Sequence, residues 1–246
     1  ATSAATSAAT SAATSAAAAA DDDADASAST STPFPDLGRA SGGAFALQRP
    51  GRRSVVTLAW ECLVGDVTTE LRQKPLDILG HALTDPHGAS LSSVLRSWGL
   101  SPAAIELDPI VRATTVARAD SWVLWELELT LAEGAEGRWR EAAALGVAAV
   151  ERLAQRGIPL GMASEVQRMT RAAWRYSSRP PTAVELSTDL QSEPRAEYAV
   201  VGSREFVGEP AELAAGANAA ASQLAARSPI VTVYAESLEG LGVDQG

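Results

Sequence analysis

"PIVRATTVARADSWVLWELELTLAEGAEGRWREAAALGVAAVERLAQRG" (109–157) changes its hydrophobic period once, and that change decides the fold class. In its first part, Val123, Trp125, Leu127, Leu129 and Leu131 recur every second residue, which predicts a strand with one buried face. The preceding run 109–118 is a second strand candidate, and the short gap through Ala119 and Asp120 predicts a hairpin, hence antiparallel pairing. From Trp139 the apolar positions Ala143, Val147, Val150 and Ala154 fall three to four apart, as on one helix face, and Gly157 stands where such a helix stops.

The same reading extends in both directions. Upstream, "SVVTLAWECLV" (54–64) alternates so that Val56, Leu58, Trp60, Cys62 and Val64 share a face, again a strand. Downstream, Pro159 suits the first turn of a second helix, on which Met162, Val166, Met169 and Ala173 form a stripe expected to enter the core. One or two short helices are expected after "SSRPPTAVELSTDL" (177–190), then an alanine-rich helix at 209–226 and a last strand in "SPIVTVYAES" (228–237). This order predicts an α+β domain, an antiparallel sheet with helices packed on one face.

Composition narrows the classes of partner. Residues 1–32 repeat Ala-Thr-Ser-Ala units and then turn acidic; they hold too little apolar surface to offset the entropy of ordering and are expected to be disordered. The next 33–240 are expected to form one domain, with 241–246 a linker or a truncated continuation. Net charge is −10, and the first 32 residues contribute only four aspartates, which leaves −6 for the rest. So acidic a surface argues against nucleic acid and against an anionic membrane as partners. No run has the length of a membrane-spanning helix. A lone cysteine, Cys62, excludes an internal disulfide framework and fits a reducing compartment. The chain opens on Ala1 and its first methionine is Met162, as expected of an internal segment of a longer protein.

Candidate chemistry centres on "ILGHALTDPHGASLSSVLRSWGL" (78–100), which holds both histidines, His81 and His87, with Asp85 between them. A helical zinc motif places two histidines one turn apart with a glutamate as base. Residues six apart project about 120° from eclipse on a helix, so this pair cannot chelate from one regular helix. A loop could still gather His81, Asp85 and His87 around a metal. The simpler reading puts His81 at a helix end, where the dipole favours a cation, and His87 on the turn that follows. Cys62 falls on the apolar face of a strand, where a thiol is inert, and no serine stands in a G-x-S-x-G elbow. Glu126 and Glu128 are two apart on the polar face of a strand, where solvation is the expected role.

The run "RRSVVTLAWECLVGDVTTELRQKPLDILGHALTDPHGASLSSVLRSWGL" (52–100) resembles the insulinase and pitrilysin family of zinc metallopeptidases. The matching pieces are Leu58 and Trp60, then Lys74-Pro75-Leu76, then Leu79-Gly80-His81, and finally Ser90-Leu91, Ser93, Leu95, Arg96 and Gly99. "LELTLAEGAEGRWREAAALGVAAVERLAQRGIP" (127–159) is similar to the strand, helix start and helix-to-helix turn of that family, and the resemblance runs from "PFP" at 33–35 to about 240. It implies the second, non-catalytic domain of a half-enzyme, an inverzincin whose zinc and H-x-x-E-H lie in a preceding domain outside this chain. No catalytic residue, zinc ligand or cofactor is then expected here.

The resemblance further implies that His81, His87, Gly88, Ala89 and Ser90 form a substrate-facing loop. Its implied partners are peptide substrates and the other domains of the same polypeptide or a homologous subunit. Two departures stand out. Eight residues separate His81 from Ser90 where relatives have about four, and Glu106 and Leu107 fall where larger relatives carry a glycine pair that lets substrate backbone approach. They motivate the alternative of a catalytically dead family member that acts as a structural or substrate-holding subunit.

Overall fold

The computed structural model describes residues 43–50, 52–63, 70, 72–85, 90–102, 111–118, 122–176, 182–184, 187, 205–239 and 241. Residues 1–32, most of 177–190, and 191–204, where the short helices are expected, lie outside these.

The hairpin forms as its alternation predicts. Strand β3 (Val111–Arg118) pairs antiparallel with β4 (Trp122–Thr130), and a register shift between Thr115 and Ala117 gives β3 a bulge at Val116. Strand β2 (Val55–Leu63) pairs antiparallel with the other side of β4. Val56, Leu58, Trp60 and Cys62 of β2 and Val123, Trp125, Leu127 and Leu129 of β4 are all buried on one face. Trp60 and Trp125 lie directly opposite each other, ring centroids 5.7 Å apart and tilted by 45°. Such a pair contributes about 0.5–1.5 kcal/mol beyond the area it buries.

The sheet is mixed, which corrects the expectation of a purely antiparallel one. Its strand order is β1-β5-β2-β4-β3, where β1 is Ala44–Gln48 and β5 is Ile230–Ala235. β1 and β2 run in opposite directions one strand-width apart, and β5 fills the gap between them. A strand inserted between two antiparallel neighbours must run parallel to one, and β5 runs parallel to β1.

Helices cover the apolar face, as expected. They are α1 (Pro75–Thr84), α2 (Leu91–Ser97), α3 (Trp139–Arg156, entered through a 3-10 turn at Glu136–Arg138), α4 (Leu160–Arg175) and α5 (Pro210–Ala225). Two close approaches set how they seat. A methyl group on Gly146 of α3 would lie 2.5 Å from Leu58 Cδ1, and one on Gly80 of α1 would lie 2.9 Å from Ala113 Cβ on β3. Lys74, the residue before α1, takes the left-handed conformation (φ 45°, ψ 55°); Pro75 after it disfavours the ordinary helical region at that position. The Lys74 ammonium lies 5.4 Å from the Phe206 ring centre.

α4 departs from the expected stripe. Ala163 and Val166 are buried and Met162 is partly so, yet Met169 is 50% exposed and Ala173 is exposed too. Its fully buried positions, Ala163 and Val166, both lie in the first two turns. The α3–α4 turn is held by α5 itself, where the Asn218 side-chain oxygen accepts from Ile158 N–H, and by Gly157 at φ 76°. Beyond β5 the chain returns to the start of α3: Leu241 is buried, and its carbonyl accepts from Trp139 Nε1 at 2.8 Å.

Candidate functional site

Gly80 brings α1 against β3, an edge strand of the sheet, and His81 is the next residue. His81 is half-buried in the last turn of α1, its carbonyl accepting from Asp85 N–H at 2.9 Å and from the Thr84 hydroxyl at 3.4 Å. Asp85 caps this helix end. Ser90 is the N-cap of α2: its Oγ accepts from Ser93 N–H at 3.3 Å, while Ser93 Oγ donates to the Ser90 carbonyl at 2.9 Å. His87, Gly88 and Ala89, like Glu106 and Leu107, lie outside the described residues. His81, in the last turn of α1, and Ser90, the N-cap of α2, thus stand on either side of one connection.

Among the described residues, no three His, Cys, Asp or Glu side chains converge as metal ligands would. The donor set of the whole chain is also poor, with two histidines at H-x5-H spacing and one cysteine. That set does not fit a zinc site of the kind the family resemblance implies, and no step through zinc is assigned to this chain. Cys62 is 3% exposed; burial, with Glu70 and Glu61 adding to it, pushes its thiol up to about 12, so no thiolate is on hand.

α2 is tied to the end of the sheet. Arg138 Nη1 donates to the Trp98 carbonyl at 3.1 Å, Ala132 N–H to the Leu100 carbonyl at 2.8 Å, and Ser101 Oγ to the Thr130 carbonyl at 2.8 Å. At that same end lies an open cleft of about 720 Å³, lined among others by Arg52, Arg53, Glu133, Glu136, Glu236 and Glu239. Neither His81 nor Ser90 lines this cleft.

The comparisons bear on this fold. The chain aligns with pitrilysin at TM-score 0.63 and 12% identity, over 79% of its own length. The fold is that of a pitrilysin-like peptidase domain. An inactive peptidase domain from Bordetella parapertussis aligns at TM-score 0.54 and 15% identity, and the match spans 76% of this chain and 93% of that one. A protease from Helicobacter pylori aligns at TM-score 0.52 and 14% identity over 78% of the chain. The chain spans only 20% of pitrilysin and 44% of the Helicobacter protease. No protein-family model and no curated protein matches it. No helix among the described residues is long and apolar enough to cross a membrane.

One feature of the pitrilysin-like domain escapes sequence reasoning. Glu126 and Glu128, assigned to a solvated strand face, are half-buried there. Burial, and then the neighbouring Glu128, hold the Glu126 carboxyl above its usual range. Leu124 and Trp122, two and four residues before Glu126 in "WVLWELELT" (122–130), were the available signal, since they make the supposedly polar face partly apolar.

Proposed function

We propose that this chain is the supporting, non-catalytic domain of an insulinase-like zinc metalloendopeptidase, and that it shapes the peptide-binding chamber beside a separate zinc-bearing domain. The observation that carries this reading is the match over 93% of a chain that is itself an inactive peptidase domain. The H-x5-H donor set is consistent with it, because the zinc chemistry then belongs elsewhere.

In this reading the chain's own residues bind and orient peptide. β3 is an edge strand, whose outward N–H and C=O groups can extend pairing to a substrate strand. His81, His87, Gly88, Ala89 and Ser90 are assigned to contact with the peptide; of these, His81 lies in the last turn of α1 and Ser90 caps α2. The other domains of the same polypeptide, or a homologous subunit, complete the chamber.

Zinc titration by calorimetry, with a fluorogenic peptide assay, tests the proposal on this chain. No stoichiometric zinc uptake and no hydrolysis are expected, from the wild type or from His87→Ala. Stoichiometric zinc lost in His87→Ala would instead establish a metal centre on His81, Asp85 and His87. The longer His81–Ser90 connection and Glu106-Leu107 favour a second reading, a catalytically dead subunit that holds substrate. Sequencing the transcript upstream of Ala1 separates the two: an H-x-x-E-H motif there supports the active-enzyme reading, and a homologous domain without it supports the second.

A further inference from the structure

The sheet face turned away from the helices has a relief of its own. Across the strands at one level stand Phe45, Thr232, Thr57, Glu128 and Arg112; at the next stand Ile230, Ala59, Glu126 and Thr114. Small side chains therefore run down β2 between larger ones, and Thr57 and Ala59 are only 6% and 9% exposed although they face away from the helices. One wall of this trough is apolar, with Phe45, Leu47 and Ile230 about half exposed. The other wall carries Glu126 and Glu128 on β4. Arg112 stands opposite Glu128, but neither carboxylate has an ion-pair partner among the described residues.

Two carboxylates at alternate positions of a strand lie about 7 Å apart, which is also the spacing of alternate residues in any extended chain. Ile230 on β5 stands two strand spacings from β4, about 10 Å, and Phe45 and Leu47 on β1 stand three, about 14 Å, enough for one extended backbone lying over Thr232, Thr57 and Ala59. We propose that this trough docks an extended peptide whose basic side chains, at alternate positions, meet Glu126 and Glu128 while the intervening apolar ones lie against Phe45, Leu47 and Ile230. The proposal rests on the peptide-handling reading above and deepens it, naming basic, apolar-alternating segments as the substrate class.

The test uses two short fluorescein-labelled peptides, one alternating lysine with leucine or threonine, the other with glutamate in place of each lysine. Anisotropy is read on the full chain, on Glu126→Gln/Glu128→Gln, and on the exposed control Glu165→Gln, with circular dichroism confirming that each is folded. The lysine peptide is expected to bind and the glutamate peptide not, with affinity falling about tenfold in the double variant and falling steeply with salt, and unchanged in the control. If both peptides bind alike and the double variant is unaltered, the trough proposal is overturned while the peptide-handling reading stands. If neither binds, both fall. A dimer in light scattering that Phe45→Glu disperses would also overturn it, by assigning the face to a second copy of the chain.

Discussion

Glu126 shows how a single side chain records the asymmetry of its face. Its carboxyl is held above the usual range by burial and then by Glu128, so the folded state retains a proton that the unfolded chain has released. Between the unfolded and folded pKa values stability therefore falls as pH rises, and the ionised group is a small liability at neutral pH. Glu126→Gln should raise the melting temperature at pH 7 and have no effect at pH 3, as scanning calorimetry at the two pH values would show. Cys62 is the opposite kind of residue, with no partner chemistry to perform. With its thiol pushed up to about 12, iodoacetamide at pH 8 should leave it unmodified in the native chain and label it only in denaturant. Both positions were legible as strand residues, Cys62 down to its inert face. The partial burial of Glu126 was not, because it depends on what β2 and β3 place beside it.

At the scale of elements, helix seating depends on a few contacts with no slack. Gly80 meets Ala113 Cβ, an atom fixed to the strand backbone, so Gly80→Ala must push α1 off β3. A cost of about 1–3 kcal/mol in urea unfolding is expected. Ser90 lies in the candidate loop and is also the N-cap of α2; Ser90→Ala should cost about 1 kcal/mol whatever its effect on peptide binding. Urea unfolding and peptide anisotropy on the same variant separate the two roles. Sequence pattern identified β2, β3, β4, β5 and the three long helices, α5 by its alanine content rather than by a period. It missed β1, because Phe45 and Leu47 point to the outer face and the inward positions are Ala44, Ala46 and Gln48, which inverts the usual pattern. It overestimated α4, because an amphipathic stripe says which face of a helix is apolar but not how far a neighbour covers it.

The whole molecule closes on its C-terminal strand. β5 pairs with both β1 and β2, and it is made after nearly all the rest of the domain. A chain ending at Arg227 would leave β1 without a partner and the β2 edge open, and should show no cooperative thermal transition where the full chain does. Local sequence determined the alternation of Val56, Leu58, Trp60 and Cys62, the three-to-four spacing from Trp139, the α+β class, and the order of motifs that resembles the insulinase and pitrilysin family. Those features are local because side-chain direction follows from backbone geometry within a few residues. Only the tertiary structure decided that β5 enters between β1 and β2, that the sheet is mixed, that Met169 stands in solvent, and that Thr57 and Ala59 floor a trough with one acidic wall. Each of these depends on which distant segment becomes the neighbour, and a period of two or of 3.6 residues carries no information about that.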